Sequence, residues 1–311
     1  MGACPIGPGW GFVHDAGDPH VTLVDRGWRV LWTRGAGCRE LAPALGEAGP
    51  VEGDLRAACL RQRADLLVAR KLTSFGLVSV AVPHGYRRDD VTGIVAAVGG
   101  GPHSILAAFV AERLGTSLDV PAAIASGSRS VREDATAESL LAEVGTVVPD
   151  LPAKVVRADS ARDLVAGLPA GSLLVVGAPG GSWMQRQFFG PGRRLVVKAP
   201  AGAIVVRRAP ARCFQAMTEG MAFGPAMPVR EARRLLVTAM APVVDDGRLV
   251  GIVSRGALDA ASPSAVVGAV ATPPISVRDE APLDEVDLVP EEIDQVPVID
   301  GEGRLRGVIL R

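Results

Sequence analysis

The middle third of the chain alternates between two hydrophobic patterns. Runs that are largely apolar, GIVAAV (93–98), VPAAIAS (120–126), AKVVRA (153–158), SLLVVG (172–177) and AIVVRR (203–208), read as buried strands. Between them HSILAAFVAERLG (103–115), REDATAESLLAEVG (132–145) and SARDLVAGL (160–168) place apolar residues at helical spacing. A strand without a polar face must be covered on both sides, so the alternation predicts a parallel sheet with helices over its two faces, an α/β fold. Ligands of such sheets bind beyond the carboxyl ends of the strands.

The flanks have other rhythms. VTLVDRGWRVLW (21–32) predicts a hairpin turning at Arg26 and Gly27, followed by a helix in GDLRAACLRQRA and apolar runs in DLLVAR and FGLVSVAV; these residues suggest no particular fold. Glycine and proline punctuation at HGYRRDD (84–90) and RRAPAR (207–212) divides the chain into residues 1–90, 91–209 and 210–311. In the third segment APVVDDGRLVGIVSR (241–255) and VPVIDGEGRLRGVILR (296–311) repeat one pattern about 55 residues apart: proline, an apolar run, an acidic glycine turn, Arg-Leu, then glycine and a second apolar run. Each copy follows a predicted helix, PVREARRLLVTA (228–239) and PLDEVDLV (282–289), so this segment is α+β.

Composition narrows the function. At 311 residues the chain has room for two or three cores, and although 48% of it is apolar, no run approaches the roughly 18–20 residues of a membrane span. The start MGACPIGPGWGF has neither the basic residues nor the long apolar stretch of a secretory signal, and four scattered cysteines show no metal or disulfide spacing, which together predict a cytoplasmic protein. The 33 basic and 34 acidic residues are interleaved, so no nucleic-acid footprint is expected. HDAGDPH (14–20) holds metal-ligand chemistry without a partner cluster, and His103 with Ser104 opens a helix rather than a catalytic triad; no catalytic set is predicted.

The strand–helix alternation, together with GAPGGSWMQRQFFG, resembles the universal stress protein family over residues 91–209, a Rossmann-like parallel-sheet domain. Gly177, Gly180 and Gly190 match the family's glycine spacing after its fourth strand, and the resemblance implies that they, with Gly192 and the nest of Gly100 and Gly101, approach the phosphates of ATP; Trp183, Phe188 and Phe189 lie inside the loop. Pro191 stands where the family carries Ser or Thr, and Gly99 where its first strand ends in Asp, so two contacts are missing. The repeat after residue 210 resembles a tandem pair of cystathionine-β-synthase (CBS) domains, which implies an adenosine ligand such as ATP or AMP near Ala241, Pro242, Gly251 and Ser254. The family's hydroxyl and carboxylate suit a ribose diol. Here the first copy has Ala257 in place of the carboxylate, and the second has Leu310 in place of the hydroxyl. The second copy lacks its closing helix, which predicts either a shortened second repeat or an element supplied from elsewhere, by residues near Cys213. Together these resemblances imply a non-catalytic, stress-related regulator that forms a homodimer, with an adenine nucleotide as partner and neither nucleic acid nor membrane; the alternative is an interaction module that has lost its nucleotide.

Overall fold

The computed structural model describes residues 27–72, 76–159, 161–178 and 199–311. The chain forms two compact units that part between Pro210 and Ala211.

The first unit is built on one nine-stranded sheet. Its strands are β1 (Arg29–Trp32), β2 (Glu47–Pro50), β3 (Leu66–Val68), β4 (Ser79–His84), β5 (Gly93–Ala97), β6 (Ala122–Ser128), β7 (Ala153–Arg157), β8 (Ser172–Gly177) and β9 (Ala203–Arg207), in the order β2-β1-β3-β4-β9-β8-β5-β6-β7. All six residues of β8 are buried, as a strand covered on both faces requires. Neighbouring strands are parallel except at the centre, where β4 pairs antiparallel with β9 from Val80 opposite Arg207 to His84 opposite Ala203. Outward from that junction the sequence order is β9, β8, β5, β6, β7 on one side and β4, β3, β1, β2 on the other. In each direction the last strand of a half lies innermost, then the one before it, then that half's first and second strands. The two halves therefore share one winding, related by a twofold operation, and the first lacks a counterpart of β7. Helices α1 (Ala36–Leu45) and α3 (Pro102–Leu118) occupy equivalent places after β1 and β5 and pack on each other.

One sequence expectation changes here. The sheet runs straight across residue 90, so the punctuation at 84–90 is a turn between strands of one sheet. A Cβ on Gly202 (φ +85°) would stand 2.6 Å from the Gly85 carbonyl carbon, and Gly85 itself has φ +66°. These glycines let two backbones cross; they do not make a linker. Of the hairpin predicted at 21–32, the second arm is β1, which lies between β2 and β3 and is parallel to both. Its residues 21–26 lie outside the described ones.

The remaining helices are short except α4 (Val131–Gly145); α2 (Leu55–Gln62) is capped by Asp54, whose carboxylate accepts from Ala57 N–H at 2.8 Å, and α5 (Ala161–Ala166) leads into β8. Gly115, in the last turn of α3, is required by packing: a Cβ there would lie 2.8 Å from that of Ala122 on β6.

The second unit carries α6 (Cys213–Ala216), α7 (Val229–Leu235), the hairpin β10 (Met240–Asp245) and β11 (Arg248–Ser254), α8 (Arg255–Ala260), β12 (Val277–Arg278), and the hairpin β13 (Gln295–Ile299) and β14 (Leu305–Leu310). The segment predicted as a helix at 282–289 is a 3-10 helix, Leu283–Leu288. Isolated backbone pairings reveal the symmetry. Phe223 pairs parallel with Val243 as Val277 does with Val298, and Thr272 pairs antiparallel with Ile252 as Thr218 does with Val308. In the segments leading into the repeats the offset is 54 residues: Thr218 to Thr272, Phe223 to Val277, Pro228 to Pro282. Each repeat thus borrows a strand from the segment leading into the other. α6 packs on β14 and on the 3-10 helix, in the second repeat. The first repeat's core joins Phe223, Val229, Ala232, Leu236, Ala241, Val243, Val253, Leu258 and Val267.

Candidate functional site

In the second unit the two hairpins begin side by side. Ala239 N–H, just before β10, donates to Asp294 Oδ2, just before β13, at 2.8 Å. The other oxygen, Asp294 Oδ1, is buried and meets no hydrogen-bond partner among the described residues; nor does Oε1 of the adjacent Gln295, a side chain only 5% exposed. The far ends of the hairpins close the same site. Arg255 N–H donates to Ala239 O at 2.8 Å and Arg311 N–H to Asp294 O at 3.1 Å. The two guanidinium groups repeat each other's role: Arg255 donates to the carbonyls of Leu236 and Thr238, Arg311 to those of Val289 and Pro290. They satisfy carbonyls left free where each helix stops before its strand.

Ser254, the residue before Arg255, caps α8: its Oγ accepts from Ala257 N–H at 3.1 Å, so its proton remains available to donate. The strand starts therefore offer two unmet acceptors at Asp294 and Gln295, and the cap of α8 offers a hydroxyl proton at Ser254. An unsatisfied buried acceptor costs about 1–3 kcal/mol, and a ligand N–H would remove that penalty.

The residues expected from the CBS resemblance divide by role. Ala241 is fully buried in the core, and Pro242 accepts from Phe223 N–H at 2.9 Å, so both bind the first repeat together. Gly251 is a packing glycine: an added Cβ would lie 2.9 Å from the Thr272 carbonyl oxygen. Its counterpart Gly307 is equally tight, at 2.5 Å from Thr218 O. The glycine of the repeated pattern makes room for the borrowed strand. Only Ser254 presents a free polar group. Asp294 and Gln295 escaped the sequence reading, although a polar pair directly before an apolar strand was the available signal.

In the first unit, chain order reverses beside β5, with β6 on one side and β8 on the other, and the crevice at their carboxyl ends is the expected ligand position. Ser104 Oγ accepts from Gly99 N–H and donates to Gly100 O, both at 3.1 Å, so the serine staples the glycine turn. Gly100 (φ +87°) and Gly101 (φ +80°) form the turn itself, before Pro102 opens α3. His103 Nδ1 accepts from Arg208 N–H at 3.1 Å, which places the neutral ring's proton on Nε2. Burial, reinforced by the Arg207 charge, holds that imidazole below its ordinary 6.5. Gly177 is another packing glycine, since a Cβ there would stand 2.8 Å from His103 Cβ and 2.9 Å from its carbonyl carbon. Gly180, Gly190, Gly192, Pro191, Trp183, Phe188 and Phe189, and the HDAGDPH segment, lie outside the described residues. Among the described residues no cluster of three metal-ligating side chains occurs, and no helix is long and apolar enough to cross a membrane.

Residues 214–263 match the CBS domain family. No curated protein matches the chain. Solved structures with which it shares similarity include a CBS domain pair/ACT domain protein from Thermotoga maritima (22% identity, 32% of this chain and 89% of that one, TM-score 0.29). Others are the CBS domains of a transcriptional regulator from Streptococcus pneumoniae (20%, 33% and 88%, TM-score 0.28) and CbpB in complex with c-di-AMP (16%, 32% and 79%, TM-score 0.30).

Proposed function

We propose that this protein is a non-catalytic regulator whose CBS pair takes an adenine-nucleotide ligand at the paired strand starts. The reading is carried by one observation: Asp294 Oδ1 and Gln295 Oε1, consecutive in sequence at the start of β13, are both buried and unmatched among the described residues. An exocyclic amine supplies the donors that the two acceptors lack, and a ribose hydroxyl accepts from Ser254. Ligand energy then favours whichever conformation of the CBS pair binds better, and only that differential affinity transmits a signal. The α/β unit, read through Gly177, Gly180 and Gly190 as universal-stress-like, serves as the scaffold of a stress-related regulator in the cytoplasm.

Titration calorimetry of the full chain with ATP, ADP, AMP, c-di-AMP and S-adenosylmethionine tests this. At least one is expected to bind, and Gln295→Met is expected to weaken it roughly tenfold, in keeping with one lost hydrogen bond in a buried site. The same variant removes an unmet acceptor, so the ligand-free protein becomes about 1 kcal/mol more stable. Silence at millimolar concentration of every ligand overturns the sensor and favours the second reading, an interaction module, which Leu310 in place of the hydroxyl and Ala257 in place of the carboxylate support.

A further inference from the structure

The first half of the α/β unit has a crevice of its own. In the order β2-β1-β3-β4 the chain passes from β1 outward to β2 and then back across to β3, so its winding reverses between β1 and β3. Beyond the carboxyl ends of the strands at such a reversal a doubly wound sheet leaves room for a ligand.

Positive charge gathers there. Trp32 opposite Val68 is the last registered pair of β1 and β3, and two residues beyond each stand Arg34 and Arg70, with Lys71 next. Thr33 N–H donates to Val68 O at 2.9 Å, so the two segments still run together as they leave the sheet. A Cβ on Gly35 would lie 3.3 Å from Arg70 Cγ and 3.4 Å from its Cδ. The Arg70 side chain therefore lies across the turn that carries Arg34. All three cations are exposed, and none of their side chains forms a hydrogen bond or ion pair among the described residues. Of the acids at this edge, Asp54 is engaged in capping α2, and Glu52 follows β2, on the far side of β1 from the crevice. The corresponding turn after β5, Gly99 to Gly101, carries no side chain, so the charge is not part of the plan that the two halves share.

We infer that this crevice binds a small phosphorylated ligand, with Arg34 and Arg70 on the phosphate oxygens and Lys71 as a further charge. A guanidinium donates two parallel N–H bonds to two oxygens of one phosphate, and an ammonium adds a point charge. Three cations held together without a carboxylate repel one another, and a dianion between them turns that repulsion into attraction. The inference stands whether or not the CBS pair binds a nucleotide.

Proton–nitrogen correlation spectra of the full chain, titrated with pyrophosphate at constant ionic strength, test it. The amides of residues 33–37 and 70–71 are expected to shift saturably, with a dissociation constant on the order of 1 mM. Arg34→Gln and Arg70→Gln should each weaken binding roughly tenfold, as loss of a charge-assisted pair does, with the rest of the spectrum unchanged because both side chains are exposed. Arg248→Gln, which removes an exposed charge from the other unit, should leave the titration as it is. Shifts that sodium chloride reproduces, shifts that survive both glutamine substitutions, or tighter binding of a single-stranded oligonucleotide than of pyrophosphate would overturn the inference.

Discussion

Gly177→Ala distinguishes a glycine kept for packing from one kept for a ligand. The added methyl meets His103 Cβ at 2.8 Å and the His103 carbonyl carbon at 2.9 Å, both in the first turn of α3, so backbone must move. Such overpacking costs about 1–3 kcal/mol, while replacing glycine returns about 0.4–1 kcal/mol through the unfolded chain. The net destabilisation is about 1–2 kcal/mol, which for a unit of this size lowers the melting temperature by roughly 2–8 °C. Differential scanning calorimetry of the ligand-free protein reads it directly. Gly145→Ala is the control: it closes α4 with nothing within 4 Å of a Cβ, and is expected to raise stability by about 0.5 kcal/mol. A melting temperature of Gly177→Ala equal to or above that of the wild type would refute the packing argument and return Gly177 to the ligand.

Three further outcomes are expected. Gly251→Ala and Gly307→Ala each drive a methyl into a borrowed strand, so each should destabilise the second unit by about 1–3 kcal/mol in urea unfolding, while alanine at Gly256, which meets only Ser254 Oγ at 4.0 Å, should not. Because His103 is held neutral in the folded state, its stabilising effect is complete above pH 6.5 and declines as pH falls, since the unfolded chain takes up the proton first. Melts from pH 7.5 down to about 5 should therefore show a steeper loss for wild type than for His103→Asn. Burial pushes the Cys59 and Cys213 thiols up to about 12, so iodoacetamide at pH 8 should leave both unlabelled in the native protein and label both in guanidinium, as peptide mass mapping reports.

The apolar runs between 93 and 207 foretold their strands because burial on both faces, as in β8, leaves no room for a polar period, although AKVVRA became the edge strand β7, with no residue fully buried. The repeat at 241–255 and 296–311 likewise foretold the symmetric hairpins, since two copies of one pattern fold alike. Glycines are less legible for the opposite reason. Gly177 and Gly251 each suggest a ligand when read alone, yet a Cβ on either would meet a segment distant in sequence, His103 or Thr272, as one on Gly202 would meet Gly85. The antiparallel β4/β9 seam, which makes residues 27–90 half of one sheet, is also a pairing between remote strands. So is the Ala239–Asp294 contact that leaves a carboxylate oxygen unmatched. Local patterning along the chain determined which segments became strands and helices and which segment was duplicated. Tertiary structure alone decided which glycines serve packing and which polar atoms lack partners, because both depend on distances between residues that the chain itself keeps far apart.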